Sequence, residues 1–147
     1  MKEIKPGKDY IGVGGGVLIF NSNGEVLLMR RGPKSKNEIG YWQKPGGEVD
    51  YGEKALKCMT REVKEELDIN VDIFGYLPHT DHIIKKDGQH WVAFNYIGKI
   101  KSGTPKIMEP EKCDKIEWFN VEKLPRKVSQ TTIESIKNYK EKKYIKL

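Results

Sequence analysis

Apolar and polar positions change period several times along the 147 residues, and each change marks an element. Val13-Gly14-Gly15-Gly16-Val17-Leu18-Ile19-Phe20 is glycine-rich and then aliphatic. It lacks a Gly-Lys-Ser/Thr ending and no helical pattern follows. A strand with small residues where another backbone or a ligand comes close therefore fits better than a phosphate-cradling loop. Asn21-Ser22-Asn23-Gly24 carries turn chemistry, and Glu25 to Arg31 reads as the returning strand of a hairpin. Gly32 to Gly40 is polar and broken by Pro33, hence a loop. Leu56, Met59, Val63 and Leu67 then recur at helical spacing. Asp50 with Glu53 three residues later has the form of a capping box, so the helix should start there and run to about Leu67.

Beyond it, Asn70 to Tyr76 and His79 to Ile84 are strand-like, and Asp87-Gly88 marks a turn. His90 to Ile100 alternates, with Trp91, Ala93, Asn95 and Ile97 on one face and Val92, Phe94 and Tyr96 on the other. Lys115 to Phe119 reads as a short strand. Ile133, Ile136 and Tyr139 place a closing helix over roughly 129–144. Strands interleaved with two helices predict an α/β fold with a mixed sheet between helical layers. The length suits a single domain over 1–147.

One helix carries more acid than its geometry favours. At ~100° per residue, Glu62, Glu65 and Glu66 fall on one flank beside the apolar stripe. Like charges at i,i+3 and i,i+4 cost roughly 0.2–0.5 kcal/mol per pair unless something positive lies against them. A hard divalent cation with oxygen ligands would meet that need. The ordinary alternative is a solvated face, since glutamate forms helices well.

The spacing around those glutamates is the stronger signal. Gly47 is followed after five residues by Glu53, then after seven by Arg61-Glu62, Val63, Glu65-Glu66 and the aliphatic Ile69. This resembles the Nudix box of the Nudix (MutT-like) hydrolases: eight fixed positions of a 23-residue pattern match, and Asp68 stands where the family has glycine. Asp tolerates the left-handed conformation a helix end needs there, so the departure costs the likeness little. The Glu109-Pro110-Glu111 run, the strand ending Trp118-Phe119 and Glu122-Lys123-Leu124-Pro125 resemble the back half of the nucleotide-cleaving members. The likeness covers Gly12 to about Pro125.

The resemblance implies an α/β/α sandwich that hydrolyses a nucleoside diphosphate linked to another group, using Mg²⁺, for which Mn²⁺ can substitute. It implies Glu62, Glu65 and Glu66 as metal ligands, with a backbone carbonyl of Gly46 or Gly47. Glu53 and Arg61 are expected to pair and orient them. Glu65 is the first choice of general base, with Glu111 or Glu109 as competitors. Lys44 stands where the family is commonly apolar. It reaches a substrate phosphate or faces solvent, the second being the default for a lysine. Trp42 is core or frames the site entrance, and base specificity would rest on residues such as Trp42, Phe94 or Trp118. Cys58, one turn before Glu62, reads as a buried structural thiol.

Composition narrows the class a little further. The formal charge of +6 invites a nucleic-acid partner, but the lysines are dispersed, and the Lys137–Lys146 run alternates with acids and tyrosines. The excess charge then serves to draw a polyphosphate toward the site. Two distant cysteines, no leader-like start and no apolar run of ~20 residues predict a soluble, cytoplasmic chain with free thiols. His79, His82 and His90 lack zinc-ligand spacing. The favoured reading is a nucleoside triphosphate pyrophosphohydrolase releasing a monophosphate and pyrophosphate. Next comes a pyrophosphatase for ADP-ribose or another nucleotide sugar. A non-catalytic Nudix-fold nucleotide-binding module is the reading of another class, and it predicts gaps in the box that this chain lacks. Members commonly dimerise, so a homodimer is an allowed assembly.

Overall fold

A computed structural model describes residues 1–147. Its elements are β1 (Gly12–Ile19), β2 (Val26–Arg31), β3 (Trp42–Gln43), β4 (Gly46–Glu48), α1 (Ala55–Leu67), β5 (Asn70–Ile84), β6 (Gln89–Ser102), β7 (Cys113–Phe119), α2 (Gln130–Lys140) and β8 (Ile145–Lys146). A five-stranded sheet has the order β4-β1-β6-β5-β8, and a three-stranded sheet has the order β3-β2-β7. The larger sheet is mixed, because β1 runs parallel to β6 and antiparallel to β4.

The pleat of β1 decides the layering. Val17 and Ile19 join Cys58, Met59, Val63 and Leu67 of α1 in one core cluster, while Leu18 joins Ile136 of α2 in a second. Alternate side chains leave opposite faces of a strand, so the helices cover the two faces of the sheet. The α/β/α arrangement with a mixed sheet is as the sequence predicts.

Several boundaries differ. The Asn21–Gly24 turn forms, with Asn21 Oδ1 accepting from Asn23 N (3.0 Å) and Glu25 N (2.9 Å), but it does not close a hairpin. Only the bridge Phe20↔Val26 joins its arms before β2 leaves for the second sheet. The reason lies in Val26-Leu27-Leu28-Met29, which is buried without alternation. Such a run needs cover on both faces, and β2 finds it with Leu27 and Met29 in the first cluster and Val26 and Leu28 in the second. The two strands expected between Asn70 and Ile84 are one, bulged between Leu77 and Thr80 around Pro78.

Helix α1 starts at Ala55, with Lys54 in the cap position and no side-chain cap, so Asp50 is not its N-cap. Half of the predicted box nevertheless forms in the preceding turn, where Asp50 N donates to Glu53 Oε1 at 3.2 Å. Asp68 ends the helix at φ 55°, ψ 39°, the left-handed cap expected of it. Leu56 is exposed, and Cys58 takes its place on the buried stripe. On α2, Ile133 is exposed and the inward face is mostly polar: Thr131, Thr132, Ser135 and Ile136.

Candidate active site

The glycines before α1 hold its acids against the sheet. Val17 N donates to Pro45 O and Val49 N to Val13 O, 2.8 and 3.0 Å. These bonds bracket the Gly15↔Gly47 pair and fix the alternation of the ladder. Gly47 therefore spends its N–H and C=O on β1, and Gly46 turns both of its groups outward. Gly46 N donates to Glu66 Oε1 at 3.1 Å. The carbonyl of Gly46, on the same edge, is the glycine oxygen open to a ligand. At Gly47 a Cβ would fall on the Glu62 carboxylate, so glycine there is a matter of room.

Arg61 ties the remaining acids together. Its Nε and Nη2 hold Glu53 in a two-bond fork at 2.6 and 2.8 Å, and its Nη1 reaches Glu62 Oε1 at 3.0 Å and Glu65 at 3.2 Å. Asp50 Oδ2 lies 3.3 Å from Nη2. The Arg61 fork holds the Glu53 carboxyl down at about 2. A depressed acid adds stability above its unfolded value near 4.5 that is lost as pH falls toward 2. Glu53→Gln is expected to flatten the acid limb of the stability curve between those values. Thermal melts from pH 5 to pH 2 would check it; an unchanged limb would count against the pairing.

The other two carboxyls are shifted the opposite way. Scarcity of water around Glu66 pushes its carboxyl well above the usual carboxylate range, with Glu62 adding repulsion and the Gly46 N–H offsetting part of it. Desolvation also raises Glu62, against the pull of Arg61. Two desolvated carboxylates beside an outward carbonyl suit a hard divalent cation, which binds oxygen ligands.

Both acids face a cavity of about 410 Å³. The sequence-predicted residues divide around it. Glu62, Glu66, Gly46, Gly47, Lys44 and Glu109 line it; Glu53, Arg61, Glu65, Glu111 and Trp42 do not. Glu62 and Glu65 both accept from Arg61 Nη1, at 3.0 and 3.2 Å, and of the two only Glu62 lines the cavity; Glu65 is exposed. Glu111 contributes through its backbone, its carbonyl accepting from Lys34 N at 2.8 Å. Trp42 is 8% exposed and packs edge-on against Phe119 at 4.9 Å. Lys44 does not face solvent; burial lowers its ammonium to about 7. Cys58 is buried as expected, and the same desolvation pushes its thiol up to about 12.

The cavity lining is also basic, through Arg31, Lys34, Lys36 and Lys112, and includes Thr131 and Thr132 of α2. Lys36 reaches Glu48 at 3.4 Å and Lys112 reaches Glu109 at 3.3 Å. These lysines come from loops far apart in sequence and follow no spacing. The inward Thr131-Thr132 pair did leave a trace, since the closing helix has few apolar positions.

The pattern that defines the NUDIX domain matches residues 11–139. This chain belongs to the Nudix family. Among solved structures, the MutT Nudix hydrolase of Burkholderia pseudomallei superposes with a TM-score of 0.80 at 35% identity, over 86% of this chain and 96% of that one. The RNA pyrophosphohydrolase of Bartonella bacilliformis is 27% identical over 136 residues, 76% of this chain and 79% of that protein. The m7GpppN-mRNA hydrolase of Saccharomyces cerevisiae is 29% identical over 119 residues, 80% of this chain. The chain spans 12% of that protein's length. The 8-oxo-dGDP phosphatase NUDT18 of Danio rerio is 33% identical over 92 residues, 62% of this chain and 26% of that protein. No helix of this Nudix chain is long and apolar enough to cross a membrane.

Proposed function

We propose that this Nudix protein hydrolyses a phosphoric anhydride bond of a nucleoside triphosphate, releasing a nucleoside monophosphate and pyrophosphate, and that it does so with Mg²⁺. The observation that carries the reading is one cavity lined both by the acids Glu62, Glu66 and Glu109 and by the bases Lys34, Lys36 and Lys112. A polyphosphate bridged to divalent cations is the ligand that both sets of side chains can satisfy. The volume is that of a small-molecule site.

Glu62, Glu66 and the Gly46 carbonyl would hold the cation, which when bound supplies Lewis-acid neutralisation of the phosphate oxygens. Arg61 and Glu53 keep Glu62 in place. Of the lining carboxylates that remain, Glu48, Asp50 and Glu109, Glu109 is the one we assign to take a proton from the attacking water. That water's oxygen bonds to phosphorus as the P–O–P bridge breaks, and the pyrophosphate leaves with the bridging oxygen. Lys36 and Lys112 are free to exchange Glu48 and Glu109 for substrate oxygens. Glu109 thus displaces Glu65 and Glu111 as the favoured base.

A second reading, the 5′-triphosphate end of an RNA, is supported by the likeness to the RNA pyrophosphohydrolase across most of that protein's length. Purified protein with Mg²⁺ would be given nucleoside triphosphates, ADP-ribose and 5′-triphosphorylated RNA, with products separated by chromatography. Monophosphate and pyrophosphate from a free nucleotide are expected. Turnover of RNA or ADP-ribose alone would replace the substrate, and no turnover with any divalent metal would overturn the reading.

A further inference from the structure

Among the residues that line the cavity, Trp91 is the one Phe, Tyr or Trp; Trp42, Phe94 and Trp118, the aromatics suggested by the sequence for base specificity, do not line it. Trp91 is half-buried and belongs to neither core cluster. An indole left partly open to a cavity forgoes apolar burial that a core would supply.

Its surroundings seat and orient it. A Cβ on Gly7 would come within 2.5 Å of Trp91 Cε2, Cζ2 and Nε1, and one on Gly12 within 2.4 Å of Cε3 and Cζ3, with Cδ2 next at 2.9 Å. That order of distances at Gly12 places the glycine under the face of the ring and not at its edge. Trp91 Nε1 donates to Gln89 Oε1 at 2.9 Å, and the same oxygen accepts from Asn37 Nδ2 at 2.9 Å. The single N–H of the indole is thus spent within the protein, and what it offers a ligand is its π face. Lys36 Nζ stands over the ring at 6.0 Å from the centroid, beyond the about 3.5–4.0 Å of van der Waals contact. The Lys36 side chain is 71% exposed, so the ammonium can move aside. Next to the indole, Gly14 and Ala93 are cross-strand partners that also line the cavity, and they raise no more than a methyl group beside it.

A flat aromatic group fits this place better than a phosphate. Every nucleobase has a π-face and stacks on an aromatic side chain, whereas an anion on the indole would meet the negative face of its quadrupole. The position along the sheet agrees. Trp91 is level with Gly12 and Gly46 with Gly16, four residues or about 13 Å of strand apart, a distance that a ribose and the first phosphates can bridge.

We propose that the Trp91 indole is the platform on which the nucleobase of the substrate stacks. This deepens the nucleotide reading above and rests on it. The test is calorimetric binding of AMP, GMP and ribose 5-phosphate, with Mg²⁺, to wild type, Trp91→Leu and Trp91→Phe. None of the three ligands carries an anhydride bond, so hydrolysis has no part in the measurement. Wild type is expected to bind both nucleotides more tightly than ribose 5-phosphate. Trp91→Leu is expected to weaken both nucleotides by about ten- to a hundredfold and leave ribose 5-phosphate unmoved, while Trp91→Phe keeps most of the affinity. An equal loss for all three ligands would make Trp91 a structural residue and overturn the proposal, as would no change, or a loss confined to one nucleotide. Should Trp91→Leu fail to fold, tryptophan emission decides: AMP is expected to quench it in wild type and to leave the emission of Trp42 and Trp118 unmoved in Trp91→Phe. Binding without quenching, or no binding of AMP, would be fatal. A protein that stacks nucleotides but cleaves none would refute the function proposed above and leave the platform standing. One that cleaves triphosphates with the same KM in Trp91→Leu would do the reverse.

Discussion

Glu66→Gln is expected to lower kcat by about a thousandfold, ~4 kcal/mol of barrier, while the metal-free protein melts at a higher temperature than wild type. Both outcomes come from one carboxylate. The amide keeps an oxygen to accept from Gly46 N, so the 3.1 Å contact that seats the side chain survives. What it removes is a charge that desolvation and Glu62 both oppose. An acid raised in the fold contributes stability below its unfolded value and loses it as pH rises through the folded one. Above that folded value, metal-free wild type lacks a contribution that the uncharged amide does not depend on. Mg²⁺ is expected to restore it, raising the melting temperature of wild type but not of the variant. Steady-state kinetics with calorimetric melts, each with and without Mg²⁺, would decide. A twofold kinetic effect would mean that Glu66 is only part of a solvated face.

The second large effect is expected at Arg61, which touches no part of the cavity surface. Arg61→Lys keeps the charge but replaces a planar fork of five donors by a single ammonium. It cannot hold Glu53 at two points and still reach Glu62 and Glu65. Glu62 then swings away from Gly47. Partners that orient metal ligands typically govern 10–100-fold in metal affinity, so the Mg²⁺ concentration for half-maximal activity should rise by about that factor. Saturating Mg²⁺ should recover much of kcat. A variant that loses kcat at every Mg²⁺ concentration, with an unchanged midpoint, would give Arg61 a different role from the brace described here.

These two residues were legible in the sequence because their relation is local. A helix rotates ~100° per residue, so Arg61, Glu62, Glu65 and Glu66 have a fixed angular relation wherever the helix docks. Asp68 was legible for the same reason, as one of few residues that accept a left-handed cap. The glycines were readable only in part. Their spacing pointed to the site, but which carbonyl is open depends on the Gly15↔Gly47 register, a pairing across more than thirty residues.

The errors share a cause as well. A turn such as Asn21–Gly24 is set by nearby side chains, whereas the sheet its second arm enters depends on what covers Val26 to Met29 on both faces. Trp42 and Lys44 sit two residues apart in one short segment. Nothing in their neighbourhood says that the indole enters the second core cluster and that the lysine is buried at the cavity lining. For the general base the sequence put Glu65 first, with Glu111 or Glu109 as competitors. Arg61 claims the first, the loop before β7 aims the second into the cavity, and the third gives only its carbonyl.

By itself, then, the sequence determined an acidic helix behind a glycine turn with a left-handed end at Asp68, the Glu53–Arg61 pair, and the strand and helix periods that make an α/β fold, because each depends on spacing within a few residues. Only the tertiary structure decided which carboxylates face the cavity, which lysines share it with them, and that Lys44 is buried. Those facts follow from the packing of β1 on β4 and β6, and of α2 on the sheet, where partners are brought together from thirty to ninety residues apart.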